Sequence, residues 1–278
     1  MKGATRKNKK RIGGSKTEET ILKKLQSRLE ILFKEHKPIE VIQLPFLSNS
    51  RVFYLSIVIE YNKNIIKGFT ILITNNKIEP ELLVQFGNDE ISDELADSKQ
   101  KSCYLASELH KNRDKPWGNY VNSEQKGIKI KGDYGFSLGC SSFQGTGLTK
   151  FLFIIYFFIL KIQAHLLKRD DYIITDFDTA MMYDPVTKSR KSITNYVVER
   201  LQINNINTIM ETPLLYYERY GFIYPEKREF FSNLLKYKEA FVLNAESKSS
   251  IYIYYMDLAT KSFEQLFDEA KTLKIRLA

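Results

Sequence analysis

The run Gln144-Gly145-Thr146-Gly147-Leu148-Thr149 sets two glycines around one threonine, just ahead of an apolar stretch that begins at Phe151. Where a strand turns through glycine into a helix, several backbone N–H groups stay unpaired in one concavity, at the positive end of the helix dipole. Such a place holds phosphate. Gly145 and Gly147 let the main chain approach a diphosphate closely, and Thr149 adds a hydroxyl in the first helical turn. The same glycines can also serve only to turn the chain. Two nucleotide loops do not fit these residues. Thr149-Lys150 reverses the Lys-Ser/Thr order of a P-loop, and Lys150 stands where a dinucleotide fingerprint needs its third glycine.

A second chemical segment is Leu215-Tyr216-Tyr217-Glu218-Arg219-Tyr220-Gly221-Phe222. A phenol can act as general acid toward a departing thiolate, or pack as a helix-face aromatic. Together the two segments resemble the GNAT N-acetyltransferase superfamily, whose loop reads Gln/Arg-x-x-Gly-x-Gly/Ala after its fourth strand. That family also has a later helix ending Leu-Tyr-Glu-Lys-Leu-Gly-Phe. Gln144 and Gly147 take the first two loop places, and Thr149 replaces the final small residue. The resemblance covers about residues 128–224, with an insertion at about 180–211 where the family has a short loop.

This resemblance implies an α+β fold, a mixed and mostly antiparallel sheet flanked by helices, with acetyl-coenzyme A as co-substrate and no metal. It assigns the pyrophosphate to the backbone of Gln144, Gly145, Thr146, Gly147, Leu148 and Thr149, with Lys150 as a supplementary charge. It assigns the pantetheine arm and the thioester carbonyl to the strand within Phe136–Ser141, hence Leu138 and Cys140. Tyr217 falls where the family's tyrosine protonates the leaving thiolate. The transfer is direct, which makes Cys140 a strand residue rather than an acyl carrier. The base for the amine is left open among Glu108, His110, Asp133, Asp176 and Asp178. The acceptor is equally open: a protein lysine or N-terminus, a polyamine, or an amino sugar. Two rival readings are a catalytically silent GNAT-like binding protein and a nucleic-acid binder acting through its basic N-terminus.

The elements that must position these groups follow from periodicity. Residues 17–37 carry helical spacing, and 39–44, 51–61, 65–74 and 80–86 read as strands of an antiparallel meander. Residues 102–111 are expected to form a short helix, and 127–142 a strand or hairpin. The order then becomes a long buried helix over 148–168 and a strand over 172–179, a parallel crossover around the Gly-loop. A helix is expected at 191–201, and another with Thr212 as N-cap, Pro213 at its first position and Gly221 past its end. Residues 230–235 and 262–273 read as helical and 250–258 as a strand.

The net charge of +9 is concentrated in the first 16 residues, which hold seven cations and no acid; the remainder sits at +2. Residues 1–18 therefore read as a disordered basic arm, and 19–278 as a single folded domain. Residues 2–16 suit nucleic acid or an acidic partner, a nuclear address, or a solubilising tail. The arm has no apolar core of a secretory signal, and the ten-residue run Phe151–Leu160 is too short for a span of about 20 residues. Two cysteines and three scattered histidines give neither a disulfide framework nor metal-ligand spacing, so an intracellular protein, cytoplasmic or nuclear, is expected. The Lys, Asn and Ile bias resembles the product of an A+T-rich genome such as that of a giant virus.

Overall fold

The computed structural model describes residues 20–35, 38–62, 65–85, 102–109, 132–140, 146–169, 172–179, 181–184, 189–192, 200, 202, 205–236 and 251–278. The basic arm and the stretches 88–97 and 110–131 lie outside these residues. Helical spacing of apolar residues makes α1 (Ile21–Glu35), which buries Ile21, Leu22, Leu25, Leu29 and Phe33. Strands β1 (Ile39–Ser48), β2 (Arg51–Asn62) and β3 (Ile65–Thr74) then form the expected antiparallel meander. Asn49 and Ser50, at φ 49° and 63°, make a two-residue turn whose left-handed residue conformations give the twist that matches the right-handed twist of the flanking strands. β1 runs past Pro45, where the sequence reading stopped. The Pro45 carbonyl accepts from Ala278 N–H, so the proline's missing donor faces the outer edge and costs no bond to β2.

In the first half of the chain two elements differ from expectation. Pro80–Gln85 is a helix, α2, rather than a strand: proline suits the first helical position, Glu81 suits the first turn, and Leu83 is buried. Ser102–Leu109 is a strand, β4, rather than a helix, because pairing with β3 and with β5 (Tyr134–Cys140) overrides the helix-favouring Leu, Ala and Glu. Helix α3 (Leu148–Leu166) follows, and β6 (Ile173–Thr179) returns parallel to β5, as the crossover pattern predicts.

After β6 comes a hairpin of β7 (Met181–Asp184) and β8 (Ser189–Ser192), so residues 191–192 are strand where a helix is expected. Next come α4 (Ile206–Glu211), a 3-10 helix (Tyr216–Tyr220) and α5 (Lys227–Lys236). The chain closes with β9 (Ile251–Asp257), α6 (Phe263–Thr272, with a Ser262/Gln265 capping box) and β10 (Arg276–Leu277). Thr212 ends α4 rather than starting a helix. With ψ at 132° it takes the extended conformation that a following proline imposes.

The eight-stranded sheet has the order β10-β1-β2-β3-β4-β5-β6-β9, antiparallel except between β5 and β6. Its main core lies on the side covered by α1, α3 and α6, while Val58, Leu72, Ile78 and Leu83 form a smaller cluster. α3 is apolar all round because it is buried all round; it alone among the described helices is long and apolar enough to cross a membrane, and 78% of that window is buried in the fold.

One polar residue is buried in that helix. Gln163, fully buried, donates through Nε2 to the hydroxyls of Tyr134 (2.7 Å) and Tyr172 (3.0 Å), and its Oε1 accepts the Ile66 N–H (2.6 Å). Tyr134 donates in turn to the Ile66 carbonyl (2.9 Å). The network ties α3 to β5 and to β3 just beyond the irregular β2–β3 register at Glu60/Tyr61. Gln163→Leu keeps much of the shape but orphans the Ile66 N–H and removes a partner of both phenols. It should cost about 2–4 kcal/mol in urea unfolding, at about 1–3 kcal/mol per orphaned buried group. A loss below about 1 kcal/mol would mean that the network rearranges around the leucine.

Candidate functional site

β5 and β6 are sheet neighbours, yet Tyr134 and Ile174 are their single register pair among the described residues. Asp133 fastens the strands there. Its N–H donates to the Ile173 carbonyl (2.7 Å), its Oδ2 accepts the Ile173 N–H (3.0 Å), and its Oδ1 accepts the Arg169 guanidinium (2.9 Å), which lies over the Tyr172 ring. On their other sides, β5 stays paired with β4 through Cys140 and β6 with β9 through Thr179. The sheet is thus closed at the start of the two strands and open at their C-terminal ends.

α3 begins at that open end. Gly147 is its N-cap at φ 80°, a left-handed conformation that glycine adopts without the penalty of a side chain. Leu148 N–H reaches Thr146 Oγ1 at 3.4 Å, and the first intrahelical bond is Phe151 N–H to Gly147 O. The amides of Thr149 and Lys150 make no hydrogen bond among the described residues, as the first turn of a helix requires. The Leu148 side chain is fully buried, so only its backbone can serve a ligand. The Lys150 ammonium sits 3.9 Å from Glu269, which also takes Lys261 at 3.0 Å, so its charge is shared. Gln144 and Gly145 lie outside the described residues.

Leu138 and Cys140 sit on the half of β5 that β6 leaves unpaired, where alternate backbone groups point into the opening. Between them, Gly139 lies under the Tyr104 ring of β4, and a Cβ there would overlap that ring. Cys140 is joined to Cys103 as a disulfide across β4 and β5. The bond leaves Cys140 no thiol for nucleophilic chemistry; its sulfur lies 3.4 Å from the Thr149 hydroxyl. Register makes the pair, bringing together residues 37 apart in sequence, which spacing alone does not reveal.

Tyr217 is 4% exposed, with its ring stacked on Tyr254 of β9 (4.6 Å) and edge-on to Phe136 of β5 (5.7 Å). Its neighbour Tyr216 is half-buried and edge-on to it, while Tyr220 stacks on Phe153 of α3 (4.3 Å), where burial raises its phenol pKa. The 3-10 helix that carries them is held by Glu218, whose Oε2 accepts the Leu215 N–H (2.9 Å) and whose Oε1 pairs with buried Lys227 (2.7 Å). Lys227 also donates to the Thr212 carbonyl (2.8 Å). Burial pushes the Glu218 carboxyl above its ordinary range, and Lys227 opposes that shift. Gly221 closes the turn at φ 95°. Sequence reading missed Lys227 and Gln163. The second was visible as an uncharged polar residue between the apolar Ile162 and Ala164; the first carried no signal.

Of the five base candidates, Asp133 is 5% exposed and engaged in the strand fastening. Register sets Asp176 and Asp178 opposite Tyr254 and Tyr252, and Glu108 opposite Gly135, but the side chains of these three, and all of His110, lie outside the described residues. The described residues contain no cluster of metal-ligating side chains. Comparison with protein-family models, with curated proteins and with solved structures found no match.

Proposed function

We propose that this chain binds acetyl-coenzyme A and passes the acetyl group to an amine by direct attack, as a GNAT-like N-acetyltransferase. The observation that carries the reading is the parting of β5 from β6, with the first-turn amides of α3, unpaired among the described residues, at the open end. A diphosphate on those amides would let the pantetheine arm lie along β5 as an added strand. The thioester carbonyl then meets a β5 amide. The amine nitrogen attacks that carbonyl, the carbon–sulfur bond breaks, the thiolate takes a proton from the Tyr217 phenol, and the proton lost by the amine returns through solvent to the Tyr217 phenolate. The Tyr217 ring lies against Phe136 of the same strand, which supports its place in this scheme.

Thiol release from acetyl-coenzyme A, followed with lysine peptides, a polyamine and an amino sugar, tests the chemistry. One acetylated amine per thiol is expected; thiol released without acetylated amine would contradict it. A second reading, coenzyme binding without turnover, is favoured by the one base candidate with a described side chain, Asp133, being committed to Arg169.

Gly147→Glu should weaken coenzyme A binding by well over tenfold, by setting a carboxylate against the diphosphate. The fold should survive, at a cost of about 1–2 kcal/mol for the left-handed φ, because among the described residues a Cβ at Gly147 meets only Leu273 Cδ2 at 3.4 Å. Isothermal titration of the folded variant checks this. Parental affinity would remove the diphosphate from this loop.

A further inference from the structure

Cys103 and Cys140 face each other across β4 and β5, as the end pair of a ladder that runs back to Leu109 and Tyr134. The two sulfurs are unequally reachable. Cys103 is fully buried in the main core, opposite Ile73 of β3, while Cys140 is half-buried at the last position of β5, where β6 gives that strand no register partner. The Thr149 hydroxyl, in the first turn of α3, lies 3.4 Å from the Cys140 sulfur. A disulfide sulfur has no proton to give, so the hydroxyl is the donor.

Disulfides open by attack of a thiolate on one sulfur, through a mixed disulfide. Burial of Cys103 decides which sulfur that is: an incoming thiolate reaches Cys140, and Cys103 is the group that leaves. We propose that Cys140 is a redox-modification site, at which a low-molecular-weight thiol such as glutathione exchanges with the Cys103–Cys140 disulfide and is carried on Cys140. In the first step the glutathione thiolate bonds to Cys140 Sγ, the bond to Cys103 Sγ breaks, and Cys103 leaves with the electron pair and takes a proton. In the second, another glutathione thiolate attacks the glutathione sulfur of the mixed disulfide, Cys140 leaves as thiolate, and glutathione disulfide departs. Two glutathiones are oxidised and one protein disulfide is reduced.

The Cys140 thiolate is the better leaving group of the two. It emerges at the positive end of the α3 dipole, within reach of the Thr149 hydroxyl, whereas Cys103 emerges into apolar core. The rest of the β4–β5 ladder, and the pairing of β4 with β3, hold β4 in the sheet when the bond is cut. A tripeptide on Cys140 would also fill the open end of β5, the place that the acyl-coenzyme A reading gives to the pantetheine arm. That consequence rests on the reading above; the site itself does not.

The test is thiol labelling and peptide mass mapping on the folded full chain. The parent, reduced and then alkylated without denaturant, should take label on Cys140 at least about tenfold faster than on Cys103. Cys103→Ser removes the resolving thiol, so with glutathione disulfide it should accumulate one glutathione per chain on Cys140, released by dithiothreitol. Cys140→Ser, checked for folding by circular dichroism, should take up none. Equal labelling of the two cysteines in the parent, or no adduct on folded Cys103→Ser, would overturn the site. The glutathione adduct of Cys103→Ser should bind acetyl-coenzyme A at least about tenfold more weakly than the unmodified variant, and equal affinities would overturn the blocking of the cleft. Mapping of the adduct to Cys140 with no coenzyme binding by parent or variant would remove the acyl-coenzyme A reading and leave the modification site standing.

Discussion

Tyr217→Phe should lower turnover by about 10²-fold or more, while the fold and the affinity for acetyl-coenzyme A stay near parental values. The ring is held by Tyr254 at 4.6 Å, Phe136 at 5.7 Å and Phe153 at 6.0 Å, and phenylalanine preserves all three contacts. Only the hydroxyl, and with it the proton for the thiolate, is deleted. A positioned acid typically contributes about 10²- to 10⁴-fold, and losing it appears in kcat rather than in binding when chemistry limits the rate. Tyr216→Phe is the control, since Tyr216 is a half-buried member of the same aromatic cluster. Steady-state kinetics on both variants separates the roles. If the two lose activity equally, or neither does, Tyr217 is a packing residue and the proton comes from elsewhere.

Lys227→Met should destabilise the fold by about 3–5 kcal/mol at neutral pH. Lys227 is 4% exposed, and its ammonium is the cation paired with the buried Glu218 carboxylate. Removing it strands that carboxylate and takes the donor from the Thr212 carbonyl. The pH dependence has a definite sign. Burial already raises the Glu218 pKa, and without the lysine only the backbone hydrogen bonds from Leu215 and Leu214 oppose that rise. A carboxyl whose folded pKa lies above its unfolded value favours the folded state while protonated, and this contribution is lost as pH rises through the folded pKa. The variant's deficit against the parent should therefore shrink in mildly acidic buffer. Glu218→Gln added to Lys227→Met should recover part of the loss, because no charge is then left buried. Urea unfolding at two pH values measures all of this. A deficit below about 1 kcal/mol, or one that grows on acidification, would contradict the buried-pair account.

Pattern and composition made the helices and most strands legible: Leu25, Leu29 and Phe33 mark α1, runs rich in Ile, Val, Phe and Tyr mark β2 and β3, and the apolar run marks α3. What it misread was decided by partners distant in sequence. Residues 102–109 contain good helix formers, and only the edges of β3 and β5 make them a strand. Leu82-Leu83-Val84 fits a strand or a helix equally, and Pro80 with Glu81 settles it. Pro213 marked a boundary correctly but on the wrong side, closing α4 rather than opening the next helix.

At the candidate site, Gly147 and Gly221 were readable because a left-handed turn leaves few alternatives to glycine. The parting of β5 from β6, the Cys103–Cys140 bond and the Asp133 fastening were not, since each is a property of register.

Calorimetric titration of the full chain with acetyl-coenzyme A tests the central claim most directly. The account predicts one molecule bound per chain with a dissociation constant in the low micromolar range, about −7 to −8 kcal/mol, and loss of that binding in Gly147→Glu. No heat and no competition at about millimolar ligand, where binding would be worth only about −4 kcal/mol, would contradict it.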